Sequence, residues 1–344
     1  MAVLTSIQLD DARRIGREYG LEVTGIRGIL AGSVNTNYEC ALDTGGRAFL
    51  RIYEEQSAEG AAREIGLLEH LASRGVPTVR PLLRTGAGDT KAPTLAAFAG
   101  KAAAMFPWVD GEVLCQKRVT EGVMEQVGAA LAKIHVAGAD FEGAQRSRFD
   151  TAHLMARIER LRAQGYGRAA GQRGGEVTGG EIGADVERLA ERLAAHAERE
   201  RARDARDGGS PGALVHGDVF RDNVLWSGGR MVAVLDFESA SLGSVMFDLC
   251  VTMLAWCYGD TLERGLARAL ARGYTRERPL TVTDRERLFD DAMFAALRFS
   301  VTRITDYELR PAGTGIYKNY RRFLGRLAFI EGLGAAGLPE FMGL

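Results

Sequence analysis

The sequence predicts an α+β protein in two segregated parts, a β-rich N-terminal lobe and a mostly helical C-terminal lobe. Three observations predict it. Alternating apolar and polar runs crowd the first hundred residues. A Pro- and Gly-containing stretch, Phe106-Pro107-Trp108-Val109-Asp110-Gly111, breaks the pattern, because proline removes a ladder donor and glycine permits an unusual turn. Beyond it, apolar residues recur at helical spacing, interrupted by one short β insert. Strands followed by helices argue for segregated lobes rather than a doubly wound parallel sheet. The boundaries read as 1–105, a hinge at 106–111, and 112–344.

The elements follow in order. Residues 10–19 have helical spacing and end at Gly20. Strand-like runs occupy 21–30, 34–42 and 47–53, with Asp43-Thr44-Gly45-Gly46 as a tight turn between the last two. Ser57 is placed to cap a helix reaching about residue 74, since its hydroxyl can accept an orphan amide; Ile65, Leu67, Leu68 and Leu71 give that helix its apolar side. Short strands are expected over 80–107, with a turn at Gly86–Asp89. A helix is expected over 120–137, with Val123, Val127, Leu131 and Ile134 in register. A Gly-rich loop at 164–180 precedes a charged helix at 181–203, whose Glu and Arg run at 198–206 reads as a solvated face. The β insert occupies 213–249, and 250–335 reads as mostly helical. No repeat at a fixed period is present.

Composition narrows the function. The chain of 344 residues is 46% hydrophobic, enough for a substantial core. Its net charge of -1 argues against a nucleic-acid-binding protein. Cys40, Cys115, Cys250 and Cys257 include no C-x-x-C pair, and with 5 histidines a structural zinc site is not expected. Isolated thiols suit a reducing cytoplasm, and Cys250 and Cys257 read as small buried hydrophobes. The opening MAVLTSIQLDD does not read as a secretory signal, and no apolar stretch approaches a membrane span. The expected partners are small molecules, with no nucleic acid and no membrane.

The segment with most chemistry is 213–249. It contains His216-Gly217-Asp218-Val219-Phe220-Arg221-Asp222-Asn223, then Leu235-Asp236-Phe237. Val224-Leu225-Trp226 and the Ser227-Gly228-Gly229 turn separate them. This reads as a loop followed by a β-hairpin that returns Asp236 beside Asn223. Phosphoryl transfer explains these residue types. A hydroxyl nucleophile needs a proton acceptor, for which Asp218 is placed. A triphosphate needs cations, and magnesium takes hard oxygens such as those of Asn223 and Asp236. His216 reads as a scaffold residue, and Asp248 as a helix cap or a support for the loop. Protein kinases carry H-R-D-x-x-x-x-N and D-F-G; His216, Asp218 and Asn223 keep the first spacing, and Asp236-Phe237 the start of the second. No G-x-x-x-x-G-K-[ST] is present, so a P-loop is excluded. Instead the turn at Ala31-Gly32-Ser33-Val34-Asn35 could contact phosphates through its amides, Ser33 and Asn35, or be a simple polar turn. On the third strand Arg51 could meet the phosphates, paired with Glu64 or, less favourably placed, Glu69.

These residues resemble the aminoglycoside phosphotransferase and choline kinase superfamily, and within it most closely the bacterial homoserine kinases of the phosphotransferase type. The finer likeness rests on Val34-Asn35-Thr36-Asn37-Tyr38, Asp222-Asn223-Val224, Leu254-Ala255-Trp256-Cys257 and Ala296-Leu297-Arg298-Phe299 with Thr302, Arg303 and Asp306. It spans roughly 20 to 330. The chain departs from that family in the Gly-rich insertion, in Arg51 and in Glu238-Ser239 after the second motif. The resemblance implies a protein-kinase-like two-lobe fold, ATP and Mg2+, and adenine near Phe106, Trp108 and Val109. It further implies transfer of phosphate to a small alcohol, L-homoserine first. Alternatives are an aminoglycoside, choline, methylthioribose or another amino alcohol, or a non-catalytic nucleotide-binding protein.

Homoserine carries an ammonium and a carboxylate, so its pocket needs an acid and a cation, ideally a bidentate arginine. Arg298, Thr302 and Asp306 are spaced by fours on a helix expected over 284–309 and would share a face. Arg303 or Arg298 is expected for the carboxylate and Asp306 for the ammonium, with Asn37 nearby and Trp256 as a wall. An intrahelical Arg–Asp network, or a core role for Trp256, would explain the same residues.

Overall fold

The computed structural model describes residues 4–30, 34–85, 94–168, 177–208, 212–309 and 317–344. They form two compact units. One comprises Met1–Val113, Asp140–Ala144 and Asp222–Glu238, the other Leu114–Ala139, Gln145–Arg221 and Ser239–Leu344.

The first unit begins with helix α1 (Leu9–Glu18), whose Ala12 and Ile15 are buried. Strands β1 (Val23–Ile29), β2 (Thr36–Leu42) and β3 (Arg47–Ile52) follow, then helix α2 (Ala58–Ser73), β4 (Ala96–Phe98) and β5 (Lys101–Pro107). The strands form an antiparallel sheet of order β1-β2-β3-β5-β4. The period of two in β3 decides its faces. Ala48, Leu50 and Ile52 join Ile15, Tyr38 and Met105 in the core, leaving Phe49 and Arg51 on the opposite face. The β2–β3 turn uses Gly45 at φ 79°, as its sequence predicts. Ser57 caps α2 by accepting the Gly60 amide at 3.2 Å, and Glu64 lies among that helix's buried residues. The β4–β5 turn falls at Ala99 and Gly100; the turn expected at Gly86–Asp89 lies outside the described residues.

The second unit opens with α3 (Glu121–Ala137), α4 (Thr151–Ala163) and α5 (Gly180–Asp207). The neck of the Gly-rich segment is closed by two backbone hydrogen bonds of 3.0 Å between Gly167 and Thr178. The charged run on α5 is not all solvated, because Arg199 and Arg203 both pair with Asp290 at 2.7 Å. Strand β6 (Ala213–Val215) leads to the loop bearing Asp218. The hairpin β7 (Val224–Ser227) and β8 (Arg230–Val234) belongs to the first unit, where Val234 pairs with Thr78, and Trp226 and Glu112 exchange amide hydrogen bonds of 2.8 and 2.9 Å. In the second unit, β9 (Ser241–Gly243) pairs antiparallel with β6. Helices α6 (Val245–Trp256), α7 (Arg264–Glu277), α8 (Val282–Arg303) and α9 (Arg321–Met342) complete it.

Two packing features were not visible in sequence. Helices α3 and α7 meet backbone to backbone: a Cβ on Gly128 would lie 2.1 Å from the Leu270 carbonyl oxygen, and one on Gly273 2.1 Å from that of Glu125. The expected helix over 284–309 also changes type. Its α-helical part ends at Arg303, and Ile304–Glu308 is a π-helix. An i→i+5 turn shifts the phase of every later side chain, so Asp306 does not continue the Arg298–Thr302 stripe. Cys40, Cys250 and Cys257 are buried, as expected of small hydrophobes in the case of the last two. Among the described residues no helix is long and apolar enough to cross a membrane.

The close approach of α3 and α7 yields a test. Gly128→Ala forces the helices apart and lowers stability by about 1–3 kcal/mol, read as a lower urea midpoint with an unchanged slope.

Candidate active site

Within the first unit the Phe49–Arg51 face of β3, helix α2 and the β7–β8 hairpin line a cavity of about 240 Å³. Phe106, Trp108 and Val109, expected beside the base, line it. So do Arg51, Glu64 and Asp236, expected at the phosphates. Ile29, Phe49, Leu225 and Leu235 add apolar walls that no motif signalled.

Arg51 donates to Glu64 at 2.9 Å, which settles the choice between Glu64 and Glu69 as its partner; Glu69 is paired with Arg80 instead. A second donor, Gln56, holds the other Glu64 oxygen at 2.9 Å. Burial opposes the Arg51 charge, but Glu64, then Tyr53, Asp236 and Glu238, outweigh it and raise its pKa. Burial also pushes the Glu64 carboxyl upward, with Arg51 offsetting part of the effect. The result is a cation held in place in the wall of the cavity, beside two carboxylates and among apolar side chains.

Asp236 has φ 62°, a left-handed conformation that a non-glycine residue adopts at a cost of about 1–3 kcal/mol. Its neighbours enforce it. The Leu235 amide donates to the Asn223 carbonyl at 2.8 Å, and the Val234 amide to the Pro77 carbonyl at 2.7 Å. With Val224 opposite Val234 in the hairpin register, Asn223 and Asp236 are brought to the same end of the two strands, as the strand–turn–strand reading expected.

Other expected residues have different work. Asn35 is buried and braces the end of β2, its oxygen accepting the Glu54 amide at 3.2 Å and its nitrogen donating to Glu238 at 3.4 Å. Asn37 is buried; it accepts from Arg51 at 3.4 Å and donates to the Asn35 carbonyl at 3.3 Å. Ser33 lies outside the described residues.

In the second unit the loop bearing Asp218 is clamped from several sides. Asp248 is fully buried and accepts the His216 amide at 2.7 Å and the Gly217 amide at 2.8 Å. His135 Nε2 lies 3.0 Å from the same carboxylate, and its Nδ1 2.7 Å from the Tyr274 hydroxyl. Burial raises the Asp248 pKa, but His135, His216 and the amides reverse the sign, and it ends below the ordinary 3.8. Asp248 is thus a loop support; Ser244 caps α6. The Asp218 amide donates to His216 Nδ1 at 3.2 Å, so His216 accepts at that atom and acts as scaffold. Gly217 has φ 77°, which its lack of a Cβ allows.

Three substrate expectations require correction. Arg298 is buried and donates to the Gly217 carbonyl at 2.6 Å, with its guanidinium 4.3 Å from the Phe149 ring centre and 4.7 Å from that of Phe299. Burial lowers its pKa to about 10 despite the opposing charges of Asp218 and Asp248. It therefore shapes the loop and the field at Asp218 and does not reach out for a carboxylate. Trp256 is fully buried and donates to the Val219 carbonyl at 2.8 Å, so it is a core tie and not a pocket wall. Asp306 pairs with Arg157 at 2.6 Å, which neutralises the charge expected for an ammonium. Arg303 donates to the Asn319 carbonyl at 3.2 Å and lies 4.4 Å from the Phe323 ring centre. The sequence singled out Asp248 but missed His135 and Tyr274, which hold it, because the three residues come from three helices far apart in the chain.

The family model described as phosphotransferase enzyme family matches residues 25–280. A homoserine kinase from Methylocella silvestris is 30% identical over 341 residues, 98% of each chain. One from Nitrobacter winogradskyi is 30% identical over 339 residues, 97% of this chain and 96% of the relative. Among solved structures, a microcompartment-associated aminopropanol kinase superposes with a TM-score of 0.66 at 14% identity, covering 97% of this chain and 99% of that one. An amicoumacin kinase in complex with AMP-PNP and Ca2+ gives 0.65 at 13% identity, covering 95% and 93%. These likenesses establish a protein-kinase-like α+β fold with a β-rich N-terminal lobe and a mostly helical C-terminal lobe.

Asp248 provides a pH test. Asp248→Asn leaves a buried loop amide without its charged acceptor and lowers stability at neutral pH by about 3 kcal/mol or more. A depressed carboxyl stabilises the fold above its ordinary value and loses that contribution as pH falls through its lower folded value. The deficit of the variant, measured by urea unfolding, should therefore narrow as the medium is taken below pH 3.8; a deficit independent of pH would contradict the assignment.

Proposed function

The chain belongs to the phosphotransferase enzyme family and is a phosphotransferase with an alcohol as acceptor, and from that premise we propose that it transfers the γ-phosphate of ATP to the hydroxyl of L-homoserine, giving O-phosphohomoserine. The observation that carries the substrate is the near full-length similarity to homoserine kinases at 30% identity. Such a reaction would place the enzyme in threonine biosynthesis.

The roles follow from the chemistry of the residues. Asp218, on a loop whose backbone is held at 216, 217 and 219, would orient the hydroxyl and accept its proton. Arg51, fixed by Glu64, would meet the nucleotide's phosphates. The apolar walls and the 106–109 backbone would take the adenine. Asn223 and Asp236 present hard oxygens that suit magnesium. Among the described residues no group of three or more His, Cys, Asp or Glu side chains comes together to hold a metal. Magnesium held there would keep several waters and share its ligands with the substrate's phosphates. Magnesium bound there would neutralise phosphate charge as transfer proceeds.

The first test is ADP release from Mg-ATP with homoserine, serine, threonine, choline, methylthioribose and kanamycin. A selective response to L-homoserine is expected; a response to a different alcohol would keep the phosphotransferase and discard the substrate. Asp218→Asn should lower kcat by about 100- to 10,000-fold while ATP titration is unchanged, and comparable turnover would remove Asp218 as proton acceptor. Asp236→Ala should weaken ATP binding in the presence of magnesium and much less in its absence; equal effects would remove it from the metal site.

A further inference from the structure

Arg51 and Glu64 do not pair in the way their chemistry favours. A guanidinium and a carboxylate form their strongest contact edge to edge, with two parallel N–H···O bonds. Here Arg51 gives Glu64 one bond, from Nη1 to Oε1 at 2.9 Å. The second carboxylate oxygen is engaged from outside the pair, because Gln56 Nε2 donates to Oε2 at 2.9 Å. Arg51 Nε turns to the Asn37 oxygen at 3.4 Å. Nη2 is left out of both contacts, on a side chain that lines the cavity together with Asp236.

Local structure holds Gln56 in that position. It immediately precedes Ser57, whose hydroxyl caps α2 by accepting the Gly60 amide at 3.2 Å. The cap fixes where the chain enters the helix. The Gln56 side chain then lies along the first turn, where a Cβ on Gly60 would come 3.4 Å from its Oε1 and 3.5 Å from its Cβ. Glu64 is 6% exposed, and a buried carboxylate oxygen left without a donor is costly. A neutral amide meets that need and adds no second cation.

Arginine makes such a device necessary. A lysine at this position would carry one compact ammonium, with no edge for a carboxylate to capture. The Arg51 guanidinium has an edge, and an otherwise unengaged Glu64 would take all of it.

We propose that Gln56 is a positioning residue for phosphate binding: by occupying the second Glu64 oxygen, it restricts Glu64 to one bond with Arg51 and keeps a guanidinium nitrogen for the nucleotide's phosphates. This inference rests on the reading of Arg51 proposed above and deepens it, since it names what reserves the cation for its ligand. It is independent of which alcohol accepts the phosphate.

The test measures binding to the full chain by isothermal titration in the presence of magnesium, with AMP-PNP and with adenosine, which lacks phosphates. Gln56→Met removes the donor and keeps most of the side-chain length, so Glu64 can meet Arg51 with both oxygens. AMP-PNP should then bind about 10-fold more weakly, and adenosine within about two-fold of wild type. Arg51→Met should weaken AMP-PNP at least as much, again with little effect on adenosine. The double variant should bind AMP-PNP no more weakly than Arg51→Met alone, because Gln56 acts through Arg51. Unchanged AMP-PNP affinity in Gln56→Met, with Arg51→Met impaired, would overturn the proposal and leave the reading of Arg51 intact. Equal losses on AMP-PNP and adenosine, or additive losses in the double variant, would also overturn it, by making Gln56 a structural prop. Unchanged affinity in Arg51→Met would sink the phosphate reading itself, and the proposal with it.

Discussion

A single buried carboxylate sets the geometry of the candidate catalytic loop. Asp248 accepts two consecutive backbone amides from His216 and Gly217, and two helices supply the groups that keep it in place: α3 through His135, and α7 through the Tyr274 hydroxyl at the far side of that ring. Ionised carboxylates form stronger hydrogen bonds than neutral acceptors, and in a dry interior an unmade bond is costly. The loop backbone then has little freedom: Arg298 holds the Gly217 carbonyl and Trp256 that of Val219. Asp218 stands between these two clamps, its backbone fixed before any substrate arrives.

The first unit applies the same logic to a cation. Arg51 faces away from the core because β3 alternates, and it meets Glu64 because α2 buries that residue on the side turned to the sheet. Neither partner is stable alone in such a place; together they put a fixed positive charge beside Asp236. The backbone strain at Asp236 is supported by the hairpin and by Pro77. Preorganised charge of this kind is what phosphoryl transfer asks of a protein, since positioning and electrostatics carry most of its catalysis.

Much of this was legible in the chain, for local reasons. The period of two placed Arg51 opposite Leu50 and Ile52, the Ser57 cap marked α2, and the Gly-rich turns marked both hairpins. The spacing of Asp218, Asn223 and Asp236 identified the loop and the returning strand, because a hairpin of that length has few ways to close. The substrate residues were less legible. The stripe of Arg298, Thr302 and Asp306 assumed an uninterrupted α-helix, and the π turn at Ile304–Glu308 ended it. Arg298 and Trp256 have side chains that suit a ligand pocket, yet packing turned both toward the loop backbone. Nothing local distinguishes those uses.

The sequence by itself determined the chemistry and the class of fold, because motif spacing, strand alternation and capping act over a few residues at a time. Tertiary structure decided which charges are balanced. It joined Asp306 to Arg157, and Asp248 to His135 across 113 residues of chain. It also gathered Arg303 and Arg326 on one phenyl ring. Long-range electrostatics depends on which surfaces meet and what each excludes from water, and that is fixed only when distant helices pack.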